Sequence, residues 1–438
     1  MDRVNILVIP CDTEIAKEII DSLKYHKYFN LVLAKNKFAK VSEMIEKNVY
    51  LLPPEFELNF YEELNKLIGK VNIKFIIPAN DNIAFEMSKN ASKINSILLT
   101  PDYNIHEIVR FKDKTYEFFK DILPVPVIYK YDEVLNGKID WPVFVKPKKG
   151  QGSQNSITIT KIKQFRDFFL DKNPEEYIIT EYLPFEEYTV DCFAHNGHLL
   201  YFSVRERKKV SGGIAVITRL IKDKEIVSYM KIFAEKILSH LNMHGIFFFQ
   251  VKKDKNGKYK LLEIGPRVPG SLALNRALGI NLVELLIYQG MGLINEDSKL
   301  YPNNIQSEII LKRSLDRKFI MDLKYENVYI DFDDTLSLDD KTINISVIKF
   351  IFHAKNKGKK VFLITKHKKN YLETFLENFG IMKLFDDIIL INDNQNKTDF
   401  MSSNSILIDD SFQERKEAIE RNLLAYSADI VESLIIEE

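Results

Sequence analysis

Val143-Phe144-Val145-Lys146-Pro147-Lys148-Lys149-Gly150-Gln151-Gly152-Ser153 reads as a strand that ends in a lysine and enters a loop with two glycines. Glycine lets backbone N–H groups approach an anion closely, and lysine adds a point charge. A lysine-rich turn would read the same way in isolation, so the surroundings decide. The loop over 148–155 joins strand 143–147 to strand 156–160. Further hairpins follow at 188–204, around His195-Asn196-Gly197-His198, and at 246–264, around Asp254-Lys255-Asn256-Gly257. Asn-Gly is a strong two-residue turn signal. With helical patterns over 224–241 and 282–288, residues 111–312 are predicted to form an antiparallel α+β unit.

On either side of this unit the pattern changes. Strands at 4–9, 29–34, 73–78 and 97–99 alternate with helices at 14–23 and 82–91, which predicts a parallel sheet with covered faces over residues 1–110. No Gly-x-Gly-x-x-Gly follows the first strand, so a structural α/β module is favoured over dinucleotide binding. The charged stretch 313–326 reads as a linker. Beyond it, strands 328–332, 361–365, 388–391 and 406–409 and helices 345–355 and 371–379 predict a second doubly wound sheet over 327–438. The predicted class is therefore a multidomain chain of α/β and α+β units.

Lys plus Arg and Asp plus Glu are balanced at 62 each, which gives no bulk reason to expect nucleic acid or an anionic membrane as a partner. The two cysteines, Cys11 and Cys192, lie far apart and form no metal-ligand spacing, as expected in a reducing compartment. The apolar run 4–10 is too short for a signal-peptide core, and no stretch approaches a membrane span. A cytoplasmic enzyme is expected; the oligomeric state stays open, a homodimer included.

Two more pieces of the central unit carry chemistry. Ile178-Ile179-Thr180-Glu181-Tyr182-Leu183 offers an edge segment for an adenine, and an acidic side chain a few residues on, in Glu186-Glu187-Tyr188-Thr189-Val190-Asp191, can take a ribose hydroxyl pair, although a solvated acidic turn has the same pattern. Gln250 and Glu263 lie on neighbouring strands, and hairpin geometry can bring them to one face. Glu263-Ile264-Gly265-Pro266-Arg267 then sets a carboxylate near a guanidinium, a pairing suited to magnesium and a transferring phosphoryl group.

In order and spacing, residues 1 to about 310 resemble the ATP-grasp superfamily, in the style of carbamoyl phosphate synthetase large subunits and amino-acid ligases. The resemblance implies a Rossmann-like pre-ATP-grasp unit followed by an ATP-grasp fold. It implies ATP as ligand, with Lys114, Lys146, Gly150, Gly152, Ser153, Glu181, Tyr182, Leu183 and Glu187 in its site. Gln250 and Glu263 become ligands of Mg2+ or Mn2+, and Arg267 the arginine near the γ-phosphate. Ser271 and Asn275 continue the substrate-facing stretch, and the basic patch at Arg205, Arg207 and Lys209 is a candidate carboxylate or phosphate contact. The family pattern Glu-x-Asn-x-Arg is broken at Gly265, so one magnesium ligand is missing or comes from elsewhere. The implied chemistry joins a carboxylate to an amine through an acylphosphate, which must be shielded from water.

The C-terminal unit places acids just past buried strands: Asp331 and Asp333 in Val328-Tyr329-Ile330-Asp331-Phe332-Asp333-Asp334-Thr335, and Asp409-Asp410 after Ile406-Leu407-Ile408. In extended chain, Asp331 and Asp333 point the same way. One can act as nucleophile and the other as general acid and base. Four clustered carboxylates need a cation, and magnesium is the natural one. Thr365 ends another strand in a hydroxyl, and Lys397 supplies countercharge, with Lys366 a competitor for that role. This order resembles the haloacid dehalogenase (HAD) superfamily of phosphatases, which implies Asp331 as nucleophile and Asp333 as acid/base. Thr365 and Lys397 become the phosphate-binding pair, and Asp331, Asp333, Asp409 and Asp410 the metal-binding set. Neither usual insertion point has room for a cap domain, so the site is expected to be open, for a large substrate or one presented by the fused unit.

Together these readings predict a bifunctional enzyme: an ATP-dependent carboxylate–amine ligase and a phosphomonoester hydrolase acting on the ligated product or a phosphorylated amine. The alternatives are a small-molecule kinase fused to a phosphatase, and a nucleotide-binding regulatory module with a degenerate ligase site.

Overall fold

The computed structural model describes residues 3–36, 49–149, 155–211, 213–313, 317–321, 323–339, 341–367 and 369–435. Of the expected phosphate loop, Gly150, Gly152 and Ser153 lie outside the described residues.

In the first unit five strands pair in parallel: β1 (Val4–Ile9), β2 (Phe29–Asn36), β3 (Val49–Leu52), β4 (Ile73–Pro78) and β5 (Ile97–Leu98). Helices α1 (Glu14–Leu23), α2 (Phe60–Val71) and α3 (Asp81–Lys89) alternate with them. β1 is apolar throughout because both its faces are covered. Ile6 and Val8 pack with Ala16 and Ile19 of α1, whereas Leu7 and Ile9 pack with Leu64 of α2 and Ile83 of α3. The strand order is 3-2-1-4-5, so the winding reverses between β1 and β4. That reversal opens a crevice at the carboxyl ends of the two strands. Thr13 ties the crevice together: its hydroxyl donates to the Ala79 carbonyl at 2.8 Å and accepts from Ala16 N at the start of α1.

Helices α4 (Tyr103–Val109) and α5 (Lys112–Phe119) lead into the central unit, which has two antiparallel sheets. The smaller holds β6 (Ile128–Tyr129), β7 (Val143–Pro147), β8 (Ile157–Ile159) and β9 (Tyr177–Glu181), in the order 6-9-7-8. Its back is packed by Val134 of α6 (Tyr131–Leu135) and Phe165 of α7 (Ile162–Phe168). The larger sheet starts with β10 (Glu187–His195), β11 (His198–Ser211) and β12 (Ile214–Leu220). Helix α8 (Lys224–Leu241) follows, then β13 (Gly245–Lys253), β14 (Tyr259–Gly265), α9 (Ala273–Ala277) and α10 (Leu282–Gly290). The hairpin β15 (Ile309–Arg313) and β16 (Arg317–Met321) completes it, in the order 14-13-10-11-12-15-16. The Asn196-Gly197 turn has φ of 46° and 80°, the left-handed pair that a two-residue hairpin requires.

The stretch expected to be a linker, 313–326, is in part sheet: β16 pairs antiparallel with β15, with Ile309 opposite Met321. Its charge pattern hid this because an edge strand tolerates lysines and arginines. In the third unit β17 (Asn327–Ile330), β18 (Lys360–Thr365), β19 (Asp387–Leu390), β20 (Ser405–Ile408) and β21 (Leu424–Tyr426) form a parallel sheet in the order 19-18-17-20-21. Helices α11 (Ile345–Asn356), α12 (Lys369–Asn378) and α13 (Phe412–Glu420) connect the strands. The winding again reverses beside the first strand, here between β17 and β20.

The third unit is not a loose appendage. Ala273, Leu274, Ala277 and Leu278 around α9, with Ile305 and Ile309, share one apolar core with Val328, Ile330, Phe350 and Tyr426. Asn303 caps the edge strand β21 in both directions, donating to Ala425 O at 2.9 Å and accepting from Ala425 N at 3.2 Å. Buried Arg276 bonds Ser22 of α1 at 2.5 Å and pairs with Asp429 at 3.6 Å. A chain ending at residue 326 would expose that apolar row to water. It is expected to self-associate on size-exclusion chromatography and to bind a hydrophobic dye; a monomeric, dye-silent protein would show that the shared core is dispensable.

Candidate functional sites

Two cavities meet in the central unit. The first, of about 860 Å³, lies between the two antiparallel sheets. Strand parity builds it. On β7, Val143 and Val145 point into the core of the small sheet, which turns Phe144 and Lys146 towards the cavity. On β13, Phe247, Phe249 and Val251 pack in the core beside Phe233 and Ile237 of α8, which turns Gln250 and Lys252 the other way. Gln250 is the register partner of Glu263, and a bulge after that pair leaves Leu262 and Glu263 on the cavity while Leu261 and Ile264 stay in the core. Glu181, Tyr182, Leu183 and Glu187 complete the wall.

Lys146 is the electrostatic centre of this cavity. Its ammonium donates to the Tyr116 hydroxyl at 2.7 Å, and Tyr116 in turn donates to the Leu262 carbonyl at 2.8 Å. Burial, with the Lys112 charge adding to it, pushes the Lys146 pKa down to about 7. An anion placed there would reverse that shift. Glu187 is held by Arg207 at 2.8 Å, and Glu181 accepts from Val127 N and pairs with Lys260 at 3.3 Å. The Glu181 carboxylate thus fixes the strand edge, together with its own backbone N–H, which donates to the Val127 carbonyl at 2.9 Å.

The second cavity, of about 450 Å³, sits over the β1/β4 crevice and shares Lys112, Arg207, Gln250 and Glu263 with the first. Asp12, Thr13, Asn80 and Asp81 line it from the first unit, and Arg110, Arg205, Arg267, Ser271 and Arg313 from the other side. Arg267 is clamped bidentately on Asp81 at 2.6 and 2.9 Å. Burial alone would weaken the Arg267 charge, but Asp81 outweighs it and raises its pKa. Arg313 bonds Glu14 and reaches Ser271 at 3.4 Å.

Three expectations need correction. Lys114 is exposed and pairs with Glu107 at 3.4 Å; Lys112, two residues earlier, is the lysine of α5 that lines the cavity. Residues two apart on a helix face different ways, and Lys112 shares a face with Tyr116, four residues on. Asn275 is fully buried: it accepts from Tyr201 and Ser203 and donates to Asp191, so it braces the sheet and lines neither cavity. Arg205 reaches the second cavity but is itself buried and held bidentately by Asp191 at 2.9 and 3.0 Å. Asp81, Arg110, Arg313 and Tyr116 carried no local sequence signal, since their roles come from units that meet only in the fold.

Gly265 also finds its explanation. A Cβ there would lie 2.2 Å from the Phe248 ring, and that ring supports the Arg267 guanidinium at 5.1 Å. Phe248 therefore fills the volume that an asparagine at this position would need.

In the third unit Asp331 and Asp409 end at the β17/β20 reversal. Buried Lys397 donates to both, at 2.6 Å each. Burial would lower the Lys397 pKa, but the two carboxylates outweigh it and raise it. Asp331, Asp409 and Asp410 offer oxygens within 4.8 Å of one another. Burial and then the Asp409 charge push Asp331 well up, and the same causes push Asp410 up to about 6. Three carboxylates gathered round the Lys397 ammonium, with Lys27 and Arg415 near Asp410, make a set of hard oxygen donors of the kind a divalent cation takes. Thr365 is buried and its hydroxyl accepts from His367 N. Lys366 pairs instead with Glu414 at 2.7 Å, which leaves Lys397 as the central cation.

Asp333 departs from expectation. β17 stops at Ile330, the extended geometry ends there, and Asp333 swings out of the carboxylate cluster. It faces His367 Nδ1 at 2.9 Å, and that ring leans on Phe332 and Tyr371. His367 was not singled out in the sequence, although its place two residues after Thr365 was a usable signal.

A family model described as "ATP-grasp in the biosynthetic pathway with Ter operon" matches residues 173–311. No curated protein matches the chain. Among solved structures, the biotin carboxylase domain of Hydrogenobacter thermophilus 2-oxoglutarate carboxylase, solved with MgADP and bicarbonate, superimposes with a TM-score of 0.59 at 13% identity, covering 72% of this chain and 75% of that one. The Staphylococcus aureus N5-carboxyaminoimidazole synthetase complexed with ADP gives 0.57 at 14% identity, over 71% and 83%. The L-amino acid ligase of Bacillus licheniformis gives 0.55 at 15%, over 71% and 80%. The chain is an α/β multidomain protein with the ATP-grasp fold. Among the described residues no helix is long and apolar enough to cross a membrane.

Gly265→Asn is expected to lower stability by about 1–3 kcal/mol through overpacking. In urea denaturation, Phe248→Ala should recover part of that loss in the double variant, a favourable coupling that additive effects would contradict.

Proposed function

We propose that the chain is a bifunctional enzyme: an ATP-dependent carboxylate–amine ligase and a magnesium-dependent phosphomonoester hydrolase. The observation that carries the first half is the continuity of the two cavities around Lys112, Gln250 and Glu263. A nucleotide in the larger space would end its phosphates at the mouth of the arginine-lined one. In this reading the backbone of 181–183 faces the adenine, and Glu187 takes the ribose hydroxyls. Lys146 and Lys112 hold the phosphates, and Gln250 and Glu263 would hold the metal. Magnesium there supplies neutralisation of phosphate charge. A carboxylate bound in the second cavity attacks the γ-phosphorus, ADP leaves, and the acylphosphate carbonyl is taken by an amine with loss of phosphate. Arg267, fixed by Asp81, stands where it can steady the transferring group. The solved relatives complexed with ADP support the reading, as does the ligase activity named for the Bacillus protein.

The second half rests on Lys397 bridging Asp331 and Asp409. Asp331 attacks phosphorus, and the leaving oxygen takes a proton from Asp333. Water, giving its proton to the same Asp333, then attacks phosphorus of the aspartyl phosphate and frees phosphate and the Asp331 carboxylate. Thr365 and Lys397 hold phosphate oxygens; Asp331, Asp409 and Asp410 would hold the cation, which neutralises charge on the phosphate. In this reading His367, 2.9 Å from Asp333, would orient that carboxylate for the proton transfer.

With ATP, Mg2+ and panels of acids and amines, ADP release is expected only when both an acid and an amine are present. Release that ignores the pair would reject ligation in favour of a kinase or an idle nucleotide site. Asp331→Asn is expected to cut phosphomonoester hydrolysis by at least about 10³-fold while ADP release persists; undiminished hydrolysis would remove Asp331 from the role.

Lys146 adds a pH test. With its pKa near 7, much of it is neutral at pH 8, and bound phosphates would recharge it. Nucleotide binding should therefore take up protons at pH 8 and weaken as pH rises from 7 to 9. Calorimetry in buffers of different ionisation enthalpy measures this, and Lys146→Met should abolish most of the uptake.

A further inference from the structure

The loop between α1 and β2, Lys24-Tyr25-His26-Lys27-Tyr28, belongs to the first unit but is fastened to the third. Lys24 pairs with Glu432 at 3.4 Å, and the Tyr25 hydroxyl bonds Ser346 at 3.0 Å. His26 stacks on Phe29 with 3.9 Å between ring centroids and pairs with Glu284 at 3.2 Å. Glu284 also faces Arg415 at 4.0 Å. Arg415 in turn donates to the carbonyls of Asp409 and Asp410, the segment that carries two of the three clustered carboxylates. The loop and the acid-bearing turn thus share one buried polar chain, which fixes their separation.

At the end of this loop the Lys27 ammonium reaches Asp334 at 2.6 Å and is drawn also by Asp410. Asp334 adopts a φ of 54°, a left-handed conformation in which a side chain is uncommon, and its carboxylate is the group that holds Lys27. Asp334 directly follows Asp333, the proposed proton donor to the leaving oxygen. In-line displacement by Asp331 puts the leaving group on the side opposite the nucleophile, where Asp333 would deliver its proton. A cation anchored on Asp334 therefore flanks the leaving group, while Lys397 and Thr365 are buried at the phosphate end. The Lys27 side chain remains 42% exposed, so its ammonium, with three donors, can bind a second acceptor without leaving Asp334.

We propose that Lys27, contributed by the N-terminal unit, is a specificity residue of the C-terminal site and binds a carboxylate on the leaving group of the phosphomonoester. This rests on the hydrolase reading above: the first unit closes one side of the site and selects the substrate. The preferred substrates are phosphomonoesters of hydroxy acids and amino acids, or of amides that retain a free carboxylate.

The test uses the full chain with Mg2+ and a matched pair of esters: 3-phosphoglycerate, whose leaving group carries a carboxylate, and glycerol 3-phosphate, which lacks one. The wild type should favour 3-phosphoglycerate in kcat/KM by about tenfold or more, the size of one charge-assisted hydrogen bond. Lys27→Ala should bring the ratio close to one, mainly by raising KM for 3-phosphoglycerate, and Lys27→Arg should restore most of it. Lys24→Ala loosens the same loop without touching the acids and should keep the ratio within about twofold of wild type, which separates recognition from tethering. No wild-type preference, an unchanged ratio in Lys27→Ala, or an equal loss in Lys24→Ala would each overturn the proposal. A wild type that cleaves p-nitrophenyl phosphate but neither ester would overturn it too. A wild type that cleaves none of the three would sink the hydrolase reading itself.

Discussion

A parallel sheet whose strand order reverses beside its first strand must leave a gap at the carboxyl ends of the two diverging strands, because the connections depart to opposite faces. This chain does so twice, between β1 and β4 and between β17 and β20. Both gaps carry ionised groups that the core could not tolerate elsewhere. In the first, Asp81 holds Arg267. In the second, Lys397 holds Asp331 and Asp409. In the first the opposite charges offset each other's desolvation at the rim of the second cavity, and in the second the two carboxylates offset the desolvation of Lys397.

The central unit solves a different problem. Two antiparallel sheets each have one face packed, and the faces left over look at each other across the larger cavity. Period-two alternation then sorts the side chains: Lys146 opposite Val145, Gln250 opposite Phe249, and Glu263 retained on the cavity by a bulge. The same alternation explains the departure at Gly265. Phe248 has the parity of Gln250 and lines the second cavity, where its ring claims the space above Gly265 and supports Arg267. An aromatic platform under the guanidinium occupies the space that a polar side chain at position 265 would need.

The seam between the first and third units links the two sites physically. An apolar core common to α9, β15 and the third sheet fixes the orientation, and the buried chain from His26 through Glu284 to Arg415 ends on the carbonyls of the acid-bearing turn. Arg415 is the junction: it faces Glu284 of α10 at 4.0 Å and donates to the carbonyls of Asp409 and Asp410. The third unit is thereby tied to the other two by an apolar core and by ion pairs.

Much of this was readable in one dimension. Alternating apolar runs gave β1, β4, β7 and the helices α1 and α8, since burial on one or two faces writes itself into local periodicity. Strand-end residues such as Lys146, Glu263, Asp331 and Asp409 stood out because a charge directly after a buried strand has few places to go. What local pattern could not supply was which partner each charge would meet. Asp81 with Arg267, Lys27 with Asp334 and Asn303 with β21 join residues more than a hundred positions apart, and such pairs leave no local trace. Lys114 and Asn275 misled for the same reason: helix phase and burial, fixed by packing, turned one to solvent and the other into the core. The amino-acid order by itself determined the elements and the kinds of chemistry at their ends. Only the tertiary structure decided which ends converge, because charge pairing across units depends on packing that no short stretch of chain encodes.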